Sequence, residues 1–486
     1  MSTPPDQTQT PYASAVAGYA DQDWLRLDVP GHQAWSGRES LLTTYFGRRL
    51  LELDLPPLVD GIDYGDRPTP LGQSARLAAS AWGARKTYFL TNGGSKGNLV
   101  SCIALRSIGE QVLVQRSVHS SVIDGIALAG LDASFVIPVV DSELGIAHGV
   151  SADRLRHALR ANPGAAAVYI VTPSYFGAVA DVRALAEIAH DAGAALVVDE
   201  AWGAHFGFHP DLPSRALHLG ADIVVSSTHK MAGSLTQSAM LHLGEGPLAD
   251  RLEPLLDRAF RAMQSTSASA LLMASLDIAR QQLVTGGSKA ISESLSAAAH
   301  LRSGVTTGGR FRDASARLSA SEGVIALDPL RIVIDTRPGG LSGHEARARL
   351  FKDHRVHLEM STASVVVAVI GAGAVPDVER FLDALHALPD VGHRESGPVT
   401  LPSPGPRAMS IREAFFSGTE VVSAGDAIGR ISADTLSAYP PGIPNLMAGE
   451  VVTTEAIEFL QETVRAPFGH VRGGVSHDVS HIRVTI

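Results

Sequence analysis

Two apolar runs in this chain end in residues that can do chemistry. Ala221-Asp222-Ile223-Val224-Val225-Ser226-Ser227-Thr228-His229-Lys230 ends in a lysine, and Leu196-Val197-Val198-Asp199-Glu200 ends in acid. Both read as buried strands. A lysine amine is a poor nucleophile while protonated, so one that forms an imine belongs in a desolvated place near polar or positive groups, as at such a strand end. A neighbouring carboxylate can keep a pyridine nitrogen protonated, which makes the ring a sink for electrons. The 31 positions from Asp199 to Lys230 allow a crossover to an adjacent or next-nearest parallel strand, so both side chains can reach one ligand. An imine at one end and a protonated ring nitrogen at the other suit pyridoxal phosphate. Taken singly, Asp199 also reads as a helix cap or turn acid and Lys230 as a surface lysine opening a loop. Ser-Ser-Thr-His-Lys is not a generic loop composition, which favours the chemical reading.

Leu90-Thr91-Asn92-Gly93-Gly94-Ser95-Lys96-Gly97-Asn98 follows a strand pattern and opens a helical one. Free amides at a helix start favour an anion, so the cofactor phosphate is assigned there, at Gly94, Ser95 and Lys96. The turn matches neither the Walker pattern nor GxGxxG, and its weight depends on Lys230. His119, in Arg116-Ser117-Val118-His119-Ser120-Ser121, follows the next strand, where an imidazole can stack on the ring face opposite the one backed by Ala201. A satisfied core or surface histidine is the rival. His205, His209 and His218 read as loop scatter, and no zinc spacing stands out.

The elements that must position these residues alternate helical and β-branched segments from Ala75 to Met240, the pattern of a parallel sheet with helices on both faces. Expected strands are Thr87–Leu90, Gln111–Val114, Ala133–Pro138, Ala166–Val171, Ala195–Val198 and Ile223–Val225. Such sheets place ligands beyond the carboxyl ends of their strands. A long helix over Ser269–Leu283 and strands near Arg331–Ile334 and Ser364–Val369 predict a smaller α+β unit. The expected division is 1–62 tail and arm, 63–285 cofactor-binding large domain, 286–388 small domain, 389–408 linker rich in Pro, Gly and Ser, and 409–486 C-terminal domain. Met1–Ala20, polar and without a basic start before an apolar stretch, reads as a loose tail and not a secretory signal.

With 486 residues, 45% hydrophobic and 19% charged, the chain has room for two or three cores and is ordinary for an α/β enzyme. Its apolar runs fall short of a spanning helix, so no membrane partner is expected. A net charge of −10 argues against nucleic acid or anionic lipid and weakly suits a cationic substrate. The single cysteine, Cys102, forbids an internal disulfide and fits a reducing cytoplasm.

At this point the residues resemble the bacterial ornithine/lysine/arginine decarboxylases, which share fold type I with aspartate aminotransferase. The resemblance covers nearly the whole chain: Pro30-Gly31-His32, Asn92–Asn98, Thr172-Pro173-Ser174-Tyr175-Phe176-Gly177, Asp199–Phe206, Ser227–Lys230, Leu235-Thr236-Gln237, Ser265–Arg280, Arg412-Glu413-Ala414-Phe415-Phe416, Tyr439-Pro440-Pro441-Gly442-Ile443-Pro444 and Gly449-Glu450. It implies an α/β enzyme with a mostly parallel central sheet. It implies that Lys230 carries pyridoxal 5'-phosphate as an imine, that Asp199 pairs with the ring nitrogen and that His119 stacks on the ring. By it, Ser95, Lys96, Ser227 and His229 surround the phosphate or the imine, with Ala201 and Trp202 beside the ring. A basic amino acid loses its carboxylate as carbon dioxide, Lys230 or His229 returns a proton to the α-carbon, and an amine of the polyamine class is released.

The resemblance further implies a homodimer or higher homo-oligomer with a shared active site, in which the segment containing Thr266 reaches the partner's phosphate. Glu450 is the candidate for the substrate's distal cation, with a turn or cap acid as its rival. The chain departs from the family in places. Trp202 stands where short members usually carry histidine, Ser120 replaces a lysine, Gln33 follows Pro-Gly-His, and Ala268 and Ala270 replace a Pro or Ser and a Tyr. The large forms' N-terminal wing domain is absent, so their ring-shaped decamers are not expected. The rivals are another reaction on the same cofactor (aminotransferase, aldolase or oxygen-using deaminase) and a non-catalytic homologue.

Overall fold

The computed structural model describes residues 5–35, 39–56, 59–65, 68–392, 401–439 and 443–486. Pro440, Pro441 and Gly442 of the resemblance, and 393–400 of the expected linker, lie outside the described residues. A seven-stranded sheet forms the centre, in the order Lys86–Leu90, Ala239–Leu243, Ile223–Ser226, Ala195–Asp199, Ala167–Val171, Gln111–Gln115, Asp132–Val136. Neighbours from Ile223–Ser226 onward are parallel, whereas Ala239–Leu243 is antiparallel to both of its own.

All the expected strands of this region are present, with ends displaced by no more than two residues. Ala239–Leu243 is an addition to that expectation. It reads Ala-Met-Leu-His-Leu, with no β-branched residue, and becomes a strand through its place between two others. The sheet is buried on both sides because the side-chain period of a strand is two. Val112, Val114, Val197, Ile223 and Val225 enter one core, and Leu113, Leu196, Val198 and Val224 enter another on the opposite face.

A second, antiparallel sheet runs Arg312–Asp313, Arg331–Asp335, Val365–Val369, Met360–Ser361. The expected long helix is Ala270–Thr285, capped by the Ser269 hydroxyl, which accepts from the Leu272 amide. Towards the C-terminus, Thr419–Ser423 pairs with His481–Thr485, and Leu436–Tyr439 lies between Ile443–Leu446 and His470–Arg472. These strands and the helix Thr454–Arg465 enclose their own core around Leu436, Leu446, Leu460 and Ile482. Ile411, Ala414, Met447 and Ala448 instead join a core of the large sheet, so this unit is attached directly to the side of the molecule that carries the site.

The opening segment corrects the expectation of a loose tail. Pro11–Ala20 is a helix whose Tyr12 and Val16 are buried. Asp277 accepts from the amides of Tyr12 (3.0 Å) and Ala13 (3.3 Å), and the wholly buried Arg280 donates to the Gln7 carbonyl at 2.6 Å. The acid and base of the Ser265–Arg280 motif thus fasten the N-terminal helix. A buried charge kept in this way is paired and hydrogen-bonded, and Arg280 also binds Asp277 at 2.7 Å. Among the described residues no helix is long and apolar enough to cross a membrane.

Candidate active site

Parallel strands bring their carboxyl ends to one edge, and the residues singled out above are gathered there. Asp199 ends its strand, in register with Val171 on one side and Val225 on the other. The chain leaving Ile223–Ser226 passes through Ser227 into a single helical turn, Thr228–Met231, that carries Lys230. Asp199 is buried, and both its oxygens are held: Oδ2 accepts from Asn98 Nδ2 at 3.0 Å and Oδ1 from the Ala201 amide at 3.0 Å. Asn98 is oriented in turn by the Tyr169 hydroxyl, which donates to its Oδ1 at 2.9 Å. Burial raises the Asp199 pKa, while the Lys230 charge and these two donors oppose the rise.

Desolvation brings the Lys230 amine down to about 8, with Asp199 and Glu359 acting against that shift and Arg331 adding to it. Its Nζ lies 4.2 Å from the Trp202 ring centre, and the Arg331 guanidinium lies 4.1 Å from the same centre. Two cations on one indole use the negative face of an aromatic ring. Arg331 is fully buried and its Nη1 donates to the Tyr175 carbonyl at 2.7 Å.

His119 caps the helix Ser120–Ala129. Its Nδ1 accepts the Ser121 amide at 3.2 Å and lies 2.8 Å from the Ser121 hydroxyl, which leaves the proton of the neutral ring on Nε2. Burial, with the charges of Lys230 and Arg472, lowers the His119 pKa to about 4, so the ring is neutral at physiological pH. Ser121 Oγ also accepts from Asn98 Nδ2 at 2.9 Å. His119 and Asp199 are therefore linked through Ser121 and Asn98.

The glycine-rich turn is the start of the helix Gly93–Arg106, and the Gly93 amide donates to the Gln237 carbonyl at 2.7 Å. A Cβ on Gly94 would stand 2.6 Å from Ser227 Oγ, and one on Gly97 2.9 Å from Val225 Cγ1. Glycine at both positions lets the helix start sit directly against the Lys230 strand. The following first-turn amides, whose acceptors a helix cannot supply itself, lie beside Ser227, the kind of helix start that favours an anion. Ser95 is exposed and Lys96 partly exposed. His229 faces the Ser238 carbonyl through Nδ1 at 2.8 Å, and burial lowers its pKa.

Two assigned residues fall outside this group. Thr266 is exposed with its neighbours Ser265 and Ser267. Glu450 is corrected as a free acid for a substrate cation: it is buried, and its carboxylate is committed to Arg116, at 2.5 Å from Nη1 and 2.9 Å from Nη2. The Met447 amide donates to it as well, at 3.0 Å. Conversely, Arg331 and Glu359 act on Lys230 without having been singled out. Arg331 opens the apolar run Ile332-Val333-Ile334, and a guanidinium that leads a buried strand is the signal that could have found it. The small sheet also touches the lysine turn itself, because the Ala372 amide donates to the Met231 carbonyl at 2.9 Å. The loop making that contact is clamped by buried Ser294, whose Oγ donates to the Ala374 carbonyl at 2.8 Å and accepts from the Gly373 amide at 3.0 Å.

Comparison with known proteins gives this arrangement its family. Residues 10–333 match "Orn/Lys/Arg decarboxylase, major domain" and residues 406–475 match "Orn/Lys/Arg decarboxylase, C-terminal domain". The chain belongs to the Orn/Lys/Arg decarboxylase family. It is an amino-acid decarboxylase. Within the family it is 32% identical to the arginine decarboxylase of Bacillus subtilis over 95% of this chain and 94% of that protein. It is likewise 32% identical to the arginine decarboxylase of Halalkalibacterium halodurans, over the same shares. The lysine decarboxylase of Francisella novicida superposes with a TM-score of 0.81 at 18% identity, covering 98% of this chain and 81% of that one. That likeness fixes the fold of this decarboxylase as type I.

Proposed function

We propose that this decarboxylase removes the α-carboxylate of a basic L-amino acid, arginine or lysine ahead of ornithine, using pyridoxal 5'-phosphate held on Lys230. The observation that carries the reading is the partly buried Lys230 amine beside the doubly hydrogen-bonded Asp199 carboxylate. The residues fit the cofactor. The cradle that a Cβ on Gly94 would fill, bordered by Ser227, suits its phosphate with help from Ser95 and Lys96. Asp199 suits its ring nitrogen and neutral His119 its ring face, with Ala201 and Trp202 beside it. When bound, pyridoxal phosphate supplies a sink for the electron pair left by carboxylate loss.

The chain's own residues do the rest. Lys230, its pKa lowered to about 8, yields the attacking neutral amine more readily than an ordinary lysine, Asp199 would hold the proton on the ring nitrogen, and Lys230 or His229 would return a proton to the substrate α-carbon. Trp202 and the buried Arg331 close the floor against water. For the distal cation we take Glu359 in place of Glu450, because its carboxylate is exposed and opposes the fall of the Lys230 pKa. Names of relatives in both the arginine and lysine classes support a basic substrate. A cytoplasmic setting and an amine product entering polyamine synthesis follow from the same reading.

A homodimer with shared sites completes the reading. Leu25, Leu27, Leu41 and Tyr45 are 87%, 82%, 78% and 80% exposed. An apolar group of this kind on one arm calls for a covering surface, and the exposed Ser265-Thr266-Ser267 segment is free to reach a second copy.

The deciding experiment is a product scan by mass spectrometry across L-arginine, L-lysine and L-ornithine. Agmatine or a diamine with carbon dioxide is expected, and a keto acid or hydrogen peroxide as main product would overturn the reading. In the same assay Glu359→Gln should raise KM for the preferred substrate about tenfold, the effect of about 1.4 kcal/mol, with little change for a neutral analogue. The lowered Lys230 pKa gives a further expectation. Only the neutral amine attacks, so uptake of cofactor by cofactor-free protein should quicken as pH rises and level off above about 8. An ordinary lysine would keep gaining to about 10.4. Stopped-flow absorbance at the cofactor band reads the profile.

A further inference from the structure

Glu450 stands on the C-terminal unit, yet its carboxylate is spent on the cofactor side of the molecule. Its partner Arg116 is the first residue after the strand Gln111–Gln115, and three positions later the same turn presents His119. Both members of the pair are buried, and the geometry is bidentate, at 2.5 and 2.9 Å. Such a fork fixes direction as well as distance. Glu450 is pinned on its own side too: its amide donates to the Met447 carbonyl at 3.1 Å, and its carbonyl accepts from Ser432 at 2.8 Å. The Arg116 amide donates to the Val136 carbonyl at 2.9 Å. The turn is thus gripped at its first residue by the C-terminal unit and at its last by the Ser121–Asn98–Asp199 hydrogen bonds.

We infer that Glu450 is a positioning residue of the cofactor site: through Arg116 it sets the turn that presents His119, which makes the C-terminal unit a working wall of that site. This rests on the proposed use of pyridoxal phosphate. The same unit also brings the Arg472 charge near enough to act on His119 and on Asp124 of the following helix. Removing the Glu450 charge leaves Arg116 buried without a counter-ion, and the turn is free to shift so that the guanidinium finds water. His119 then loses its place while Lys230 and Asp199 keep theirs.

The test uses full-length protein carrying Glu450→Gln, with three readouts: cofactor dissociation constant, visible circular dichroism of the bound cofactor, and KM for the amino acid at saturating cofactor. A loss of cofactor affinity of about tenfold or more, the scale found when the partners that orient metal ligands are removed, is expected, with an altered dichroic band and a KM within about threefold of wild type. Glu450→Asp should recover part of the affinity. Arg412→Ala serves as the control, since its Nη1 donates to the Ala127 and Leu128 carbonyls at 2.9 and 3.0 Å, at the far end of the same helix. It should lower Tm with the cofactor band unchanged. The inference is overturned if Glu450→Gln raises KM with unchanged cofactor affinity and dichroism, or if Arg412→Ala reproduces the cofactor defect. Should Glu450→Gln fail to fold, Arg116→Lys, which keeps the charge and loses the fork, is read in the same way. Wild type that shows no visible band with pyridoxal phosphate would instead refute the proposed cofactor, and so separates the two failures.

Discussion

Lys230→Ala is expected to lose turnover by about 10⁴-fold or more, the scale on which removal of a covalent nucleophile acts. It should remain folded. The lysine turn is held by groups other than the amine: the Ala372 amide on Met231, and the Ala232 amide on the Thr228 carbonyl at 2.9 Å. Truncation also takes a cation away from Asp199, whose pKa burial already raises, so that acid should titrate higher in the variant. Two measurements separate chemistry from folding. Borohydride reduction followed by peptide mapping should label Lys230 in wild type and nothing in the variant, while the two melting curves stay within a few degrees, about 1 kcal/mol for a chain of this class. A variant with more than a tenth of wild-type turnover would remove Lys230 from the reaction.

Asp199→Asn should give the second largest loss. The amide is nearly isosteric but neutral, so it no longer holds a proton on a ring nitrogen, and a loss in kcat of about 10³-fold, or about 4 kcal/mol in the barrier, is expected. One of its two present donors, Asn98 Nδ2 or the Ala201 amide, must then face an NH₂ group. Leaving a buried donor without an acceptor costs about 1–3 kcal/mol. The pH profile carries an independent check. Asp199 opposes the fall of the Lys230 pKa, so its neutralisation should move the midpoint for cofactor uptake below about 8. An unchanged midpoint would show that the two groups do not share a field, and a rise would reverse the sign assigned to Asp199.

Lys230 and Asp199 were legible in the sequence because each follows a β-branched run, and strand ends in a parallel sheet meet at one edge. The helix start at Gly93 was legible for the same reason, as only Thr91 and Asn92 separate it from the strand end at Leu90. Ala239–Leu243 was not, because its strand character comes from its neighbours and not from its own residues. Glu450 shows the sharper limit. Its position suggested an acid facing substrate, but Arg116 lies 334 positions away, and no local pattern announces a partner at that distance. Arg331 and Glu359 were hidden similarly: Arg331 opens a strand of the small sheet and Glu359 immediately precedes its strand Met360–Ser361, and only the packing of that sheet beside the lysine turn gives them a role. The N-terminal helix read as a tail because its anchors, Asp277 and Arg280, come from the other side of the chain.

The antiparallel strand Ala239–Leu243 has a bearing on how the polypeptide is made. Lys86–Leu90, the earliest strand of the large sheet, bonds to no other member of it than Ala239–Leu243, with Lys86 opposite Leu243. The Gly93 amide likewise waits for the Gln237 carbonyl. During synthesis the glycine-rich turn therefore emerges from the ribosome long before the segment that seats it, and it stays unanchored until the latecomer arrives. Contacts so distant along the chain slow productive folding, so the edge of the sheet that carries this turn is completed late, only once residues near 237–243 are in place.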